Sequence, residues 1–241
     1  MVYSCISDIG LCREKNQDSF LAIENSYGDF LAIVADGIGG GKAGEVASGE
    51  VIKYFKTIFK ESGPFDNLED VIDFVNLHIG LANKRVFEKS LSDNKYSGMG
   101  TTLTGILLTS KGNVSINCGD SRTYGFVDGK IIKLTNDHTL VNQMLENGQI
   151  TYEESLNHPK RHYLVRAIGI FDKTNADVHK VKDMDYYLVC SDGLHSYVSD
   201  EEIAKIVCDA NKSLDSKVAD LKDLSLLKGG YDNVTVILLR K

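Results

Sequence analysis

Tryptophan is missing from this chain of 241 residues, and proline is confined to Pro64 and Pro159. With so little proline there is no Pro/Ser-rich linker on which to divide the chain. No repeated or low-complexity segment interrupts it, so one domain over residues 1–241 with a sizeable core is expected. Long hydrophobic runs are also lacking: no uninterrupted apolar stretch approaches membrane-spanning length, and residues 1–8 do not join a basic segment to an apolar one. The expectation is a cytoplasmic protein with no membrane insertion. Basic residues are outnumbered, 27 against 34 acidic, for a formal charge of -7. That balance excludes the broad basic footprint that nucleic acid or an anionic membrane would require. The five cysteines, Cys5, Cys12, Cys118, Cys190 and Cys208, are odd in number and show no close paired spacing. Neither a disulfide framework nor a zinc knuckle is indicated. Cys118 and Cys190 each stand two residues before an aspartate, on its face if the strand continues, and read as small buried hydrophobes.

What the chain does have is aspartate at the ends of apolar runs. Residues 30–36 (FLAIVAD), 114–120 (VSINCGD) and 186–192 (YYLVCSD) each end in one, and Asp232 opens the run 233–239 (NVTVILL). An apolar run that stops on a carboxylate carries it to the rim of a core, where an unpaired charge is costly. Any one of these aspartates is as well explained by a turn. Four converging at one rim require a cation, and oxygen ligands point to a hard one, Mg²⁺ or Mn²⁺.

The pattern around these runs sets the fold class. The stretch 30–35 is apolar at every position and reads as a central strand covered on both faces. Residues 45–59 and then a segment capped by Asn67 carry apolar stripes at helical spacing. Strands follow at 101–108, 113–118, 122–127 and 130–134, with Asp128-Gly129 as a hairpin turn demanding positive φ. Thr151 with Glu154 and Ser199 with Glu202 match capping boxes. A last helix at 214–227 stops at Gly229-Gly230 before the final strand. Strands arrive in groups with helices inserted in pairs, unlike a doubly wound fold. The expected class is α+β: a β-sandwich of two mainly antiparallel sheets flanked by pairs of helices, with a metal cluster in the cleft at one end.

The glycines of residues 36–44 (DGIGGGKAG) first suggest a phosphate loop. A Walker A loop needs glycine where Asp36 stands and Ser or Thr where Ala43 stands. The dinucleotide fingerprint G-x-G-x-x-G is satisfied from Gly39, but the acidic strand end that should follow about twenty residues on is replaced by a helical stretch. Asp36 followed by a glycine that frees its carbonyl fits a metal site better.

Eight stretches taken together resemble the metal-dependent protein phosphatases, the type 2C serine/threonine enzymes, in their bacterial form. They are residues 10–18 (GLCREKNQD), 35–40 (ADGIGG), 99–102 (MGTT), 119–122 (GDSR), 137–138 (DH), 166–169 (RAIG), 190–194 (CSDGL) and 232–235 (DNVT). They stand in the family's order and span nearly the whole chain. The resemblance implies that Asp36 bridges two Mn²⁺ or Mg²⁺ ions, that Gly37 gives its carbonyl to one, and that Asp192 and Asp232 hold the other. Asp18 would orient metal-bound water, and Asp120 with Asp192 would bind a third, weaker ion. Arg13 would grip the substrate phosphate with its planar fork. Hydrolysis of phosphoserine and phosphothreonine monoesters would proceed by direct attack of a metal-bridging water, without a protein nucleophile. The implied partners are phosphorylated proteins, targets of a bacterial serine/threonine kinase, met by a monomer.

Two positions depart from the family. Gly41 replaces a histidine that many bacterial relatives offer as leaving-group acid, which leaves His138, His158, His162 or a metal-bound water for that task. Gln17 replaces a glutamate. These departures keep open a second reading, a catalytically impaired metal-binding regulatory domain of the same fold; a nucleotide-binding oxidoreductase is a third, resting on the glycine loop alone. Residues 149–163, with Pro159 and basic Lys160, Arg161 and His162, read either as a flap beside the cleft or as a solvated charged loop.

Overall fold

A computed structural model describes residues 1–38 and 43–241. In chain order the strands are β1 (Val2–Asp8), β2 (Asp18–Glu24), β3 (Phe30–Ile38), β4 (Gly100–Thr101), β5 (Leu103–Thr109), β6 (Gly112–Cys118), β7 (Arg122–Val127), β8 (Lys130–Lys133), β9 (Asp177–Val181), β10 (Tyr186–Cys190) and β11 (Val234–Arg240). The helices are α1 (Gly44–Lys60), α2 (Leu68–Ser92), α3 (Leu140–Glu146), α4 (Tyr152–Leu156), α5 (Asp192–His195), α6 (Asp200–Val207) and α7 (Leu214–Leu227). One sheet has the order β1-β11-β10-β7-β8 and the other β2-β3-β5-β6-β9, with β4 paired to the end of β3. The neighbours in both orders run antiparallel.

The period-two alternation of β3 shows how the layers form. Phe30, Ala32 and Val34 meet Tyr187, Val189, Ile237 and Leu239 of the other sheet in a core between the sheets. Leu31 and Ile33, on the opposite face, pack with Val51, Phe55 and Phe59 of α1 and Val71, Val75 and Ile79 of α2. The outer face of the other sheet is covered the same way: Leu188, Cys190, Val234, Val236 and Leu238 lie against Ile203 and Val207 of α6 and Val218 and Leu221 of α7. The expected sandwich with a helix pair on each side is what the chain forms. Asn67 accepts from the Glu69 and Asp70 N–H groups as the cap of α2. Both expected capping boxes are present, and Asp128 and Gly129 take φ of 51° and 73° in the β7–β8 hairpin.

Three strands had no clear signal in the sequence: β1, β2 and β9. Each lies at the edge of its sheet and buries few side chains, so its alternation is weak. The strand expected at 101–108 is split into β4 and β5 by Thr102, whose N–H donates to the Asp36 carbonyl at 2.8 Å and so ties the break to the end of β3. Among the described residues no helix is long and apolar enough to cross a membrane.

Phe55 is 1% exposed at the contact of α1 with the sheet. Phe55→Ala should lower the unfolding free energy by about 3–5 kcal/mol. Leu77→Ala, at a position 60% exposed on α2, should change it by no more than about 0.5 kcal/mol. Urea midpoints of the two variants against the parent check both values.

Candidate metal centre

The two sheets deliver carboxylates to the same end of the sandwich. Asp36 continues the even-numbered face of β3 that packs toward the other sheet, and its register partner across the β2–β3 pair is Asp18. No strand announced Asp18 in the sequence; the edge strand β2 starts on it. From the facing sheet, Asp192 begins α5 one residue after Ser191, and Asp232 lies just ahead of β11. Ser191 joins the sheets directly, its Oγ–H donating to Asp18 Oδ2 at 2.7 Å while it accepts from the Thr235 N–H at 2.9 Å. Asp120 arrives by a turn: β6 ends at Cys118, and Gly119 takes φ of 124° with Thr102 filling the space where a side chain would stand. That turn, and the helix that begins at Asp192, break the strand parity assumed from the sequence. Cys118 and Cys190 therefore face the outer helix layers while the aspartates face inward. Burial pushes both thiols up, Cys118 to about 11, in keeping with small buried hydrophobes.

Crowding these carboxylates without a cation is costly. Burial, reinforced by the negative charges of its neighbours, pushes Asp36 and Asp120 well above the ordinary carboxylate range and raises Asp192. Burial lifts Asp18 to about 7 in spite of hydrogen bonds from Ser191 and Thr235. Asp18 Oδ1 and Asp192 Oδ1 are shut away from solvent without a hydrogen-bond partner among the described residues. Orphaned buried carboxylate oxygens at the meeting point of several acids suit a hard divalent ion, so the residues fit the group that the sequence implied. Arg13 sits at the rim, its side chain half exposed, and donates from Nη2 to Asp232 Oδ2 at 2.7 Å. Gly37 closes β3 against the start of α1, and a Cβ on it would stand 2.4 Å from the Gly44 backbone. Its N–H donates to the Gln17 carbonyl at 3.1 Å. Gly41 and the glycine-loop residues 39–42 lie outside the described residues.

Histidines do work here that the sequence reading assigned otherwise. One ligand atom each from Asp120, His162 and Asp192 lies within 4.8 Å of the others, so the segment 149–163 brings a nitrogen donor beside the two aspartates from which a third ion was expected. His162 Nε2 accepts from Arg161 Nε at 2.9 Å in this arrangement. His138, offered above as a proton donor, is instead turned into a brace. It accepts at Nδ1 from the Gly119 N–H at 3.2 Å and donates its own backbone N–H to the Gly119 carbonyl at 2.9 Å. Its Nε2 donates to Asp177 Oδ2 at 3.0 Å, and Arg166 holds the other oxygen of Asp177 at 2.7 Å. His158 accepts from the Lys160 N–H within its own loop.

His195 and the Arg122–Asp137 pair had not been singled out as site residues. His195 stands three residues after Asp192 on α5 and donates from Nε2 to the Asp120 carbonyl at 3.0 Å; burial lowers its pKa to about 3, so the imidazole is neutral. Burial alone would raise Asp137, but Arg122, donating from Nε at 3.0 Å and Nη2 at 2.6 Å, holds it below the ordinary range. Both flank a cleft of 510 Å³ whose other wall is the segment containing Tyr152, Leu156, Arg161 and His162. The only signal for His195 was its place one helical turn after a strand-end aspartate.

Known proteins share this sequence pattern and fold. The family model described as protein phosphatase 2C matches residues 13–225. The serine/threonine phosphatase stp of Listeria monocytogenes is 33% identical over 98% of this chain and 94% of its own length. Protein phosphatase PhpP of Streptococcus pneumoniae is 33% identical over 99% and 97%. Among solved structures, serine/threonine phosphatase Stp1 of Staphylococcus aureus superposes with a TM-score of 0.93 at 32% identity, covering 99% of this chain and 94% of that one. The serine/threonine phosphatase of S. agalactiae gives 0.90 at 35% identity, with 98% of each chain covered. With a family model over most of its length and relatives matched nearly end to end, the chain belongs to the protein phosphatase 2C family of serine/threonine phosphatases.

Proposed function

We propose that residues 1–241 form one catalytic domain that hydrolyses phosphoserine and phosphothreonine monoesters of proteins with Mn²⁺ or Mg²⁺. The observation that carries this reading is the meeting of Asp18 and Asp120, buried, with Asp36 and Asp192, half-buried, which leaves two carboxylate oxygens without partners among the described residues. Asp36 would be shared by two ions, with the Gly37 carbonyl on one and Asp192 and Asp232 on the other; Asp120, Asp192 and His162 would hold a third. When bound, such ions supply water acidified toward neutral pH and positive charge facing the phosphoryl oxygens. Asp18, fixed by Ser191, would accept a hydrogen bond from the attacking water and aim it. Arg13 exchanges its contact with Asp232 for the phosphoryl oxygens and holds the group in line for attack. His195 and His138 set the turn that carries Asp120 without touching substrate. Phosphoprotein products of a serine/threonine kinase are the substrate class, and we assign the enzyme to the cytoplasm as a monomer.

Purified protein should hydrolyse p-nitrophenyl phosphate and a phosphothreonine peptide with Mn²⁺ and lose both activities in excess chelator. Asp36→Asn, nearly isosteric, should abolish them. Full activity in chelator overturns the reading, and calorimetric metal binding without any hydrolysis would instead make the chain an impaired regulatory domain. Arg13→Ala should lower kcat/KM for the phosphopeptide roughly 10–100-fold, the value of a hydrogen bond to a charged group.

The raised carboxyls also set a pH dependence. Asp18 titrates near 7 in the metal-free folded protein and near 4 when unfolded. The folded state therefore holds the extra proton between those values, and stability falls as pH rises through that window. His195 acts in the opposite sense below about 6.5, since only the unfolded chain accepts its proton. Asp18→Asn removes the first effect and keeps the second. Without divalent ion its Tm should exceed that of the parent at pH 8, and the gain should shrink toward pH 5. Thermal scans of both proteins across that range check this, and an equal offset at every pH contradicts it.

A further inference from the structure

The cleft continues into an apolar surface that the chemistry of the carboxylates does not use. Tyr231 directly precedes Asp232 and is 56% exposed, while Leu11, two residues before Arg13, is 69% exposed. Neither is loosely placed. The Leu11 N–H donates to the Gly230 carbonyl at 2.7 Å, and the Leu11 side chain occupies the space that a Cβ on Gly230 would need. The Tyr231 ring does the same over Gly229. The Tyr197 ring lies 5.6 Å from that of Tyr231, centroid to centroid, at an interplanar angle of 42°. Tyr197 stands within the field of Asp192, Asp232, Arg161 and Arg13, and it also lines the 510 Å³ cleft opposite Leu156. Leu11, Tyr231 and Tyr197 thus make one strip from the neighbourhood of Arg13 to the mouth of the cleft.

The fold has no need of this strip, since the faces of both sheets are already covered. Exposed apolar surface joined to a functional site marks a binding region, and aromatic rings offer large contact area with few rotatable bonds. The two arginines at its border are turned to other partners, Arg13 to Asp232 and Arg161 to His162. What the strip itself presents is ring faces and methyl groups, which favours an apolar occupant over an acidic one.

We propose that Leu11, Tyr231 and Tyr197 form the subsite that selects substrate sequence, receiving an apolar side chain such as leucine within three residues of the phosphorylated serine or threonine. The proposal rests on the phosphatase reading above and adds a preference to it. Phosphothreonine peptides carrying leucine, glycine or aspartate at each of the three positions on either side, assayed with Mn²⁺ alongside p-nitrophenyl phosphate, separate the two. At one or more positions leucine should exceed aspartate about tenfold in kcat/KM, through KM. Tyr231→Ser and, independently, Leu11→Ser should each reduce that leucine-to-aspartate ratio by about fivefold or more. Hydrolysis of p-nitrophenyl phosphate and every peptide with no position preferring leucine overturns the subsite and leaves the phosphatase. A leucine preference that persists unchanged in both variants overturns it too. Absence of hydrolysis of any substrate removes the phosphatase reading and the subsite with it.

Discussion

Mutual repulsion among crowded, desolvated carboxylates is the constraint around which one end of this protein is built. Asp18, Asp36, Asp120 and Asp192 are brought together where desolvation alone disfavours their charge, and each adds to the penalty of the next. A stable fold would not assemble such a group for its own sake, because the same positions filled by apolar residues would pack without loss. The fold bears the penalty through its surroundings: three stacked cores hold the strand ends in place irrespective of what those ends carry. The site is in this sense imposed on the sandwich, and the reactivity proposed for it follows from that imposed shortage of positive charge.

The supports reveal how much of the site is indirect. Asp120 is aimed by Gly119, whose N–H and carbonyl are both taken by His138; His138 is held by Asp177, and Asp177 by Arg166. From the other side His195 takes the Asp120 carbonyl. A single carboxylate at the weakest of the proposed ion positions is thus set by elements as distant in sequence as β6, β9 and α5. Such hydrogen-bonded surroundings tune a ligand as much as its own identity does.

Legibility in the sequence followed burial. The central strands β3, β5, β6, β10 and β11 are buried on both faces, and their apolar runs were plain, as were the aspartates they led to. The edge strands β1, β2 and β9 alternate weakly because solvent takes one side and one rim, and Asp18 was invisible as a strand residue for that reason. The fourth edge strand, β8, was legible only through the Asp128-Gly129 turn before it. Parity arguments held within strands and failed one residue past them, which is why Cys118 and Cys190 part company with Asp120 and Asp192. The placement of His162 and His195 depends on how a loop and a one-turn helix fold back over the cleft, and no local periodicity encodes that.

The division of the candidate ligands between the sheets has a mechanical side. Asp18 and Asp36 belong to one sheet, Asp192 and Asp232 stand at the end of the other, and Asp120 lies in the turn from β6 to β7; the interleaved apolar layer between the sheets, of residues such as Val34, Val189 and Ile237, is crossed by few hydrogen bonds, Ser191 to Asp18 among them. Such a layer resists separation strongly but sliding weakly, because dispersion and hydrophobic contact have little directionality. An ion gripped from both sides would convert this slip plane into a pinned joint. The end of the sandwich that must keep its geometry through each turnover would then be the end where shear between the sheets is arrested.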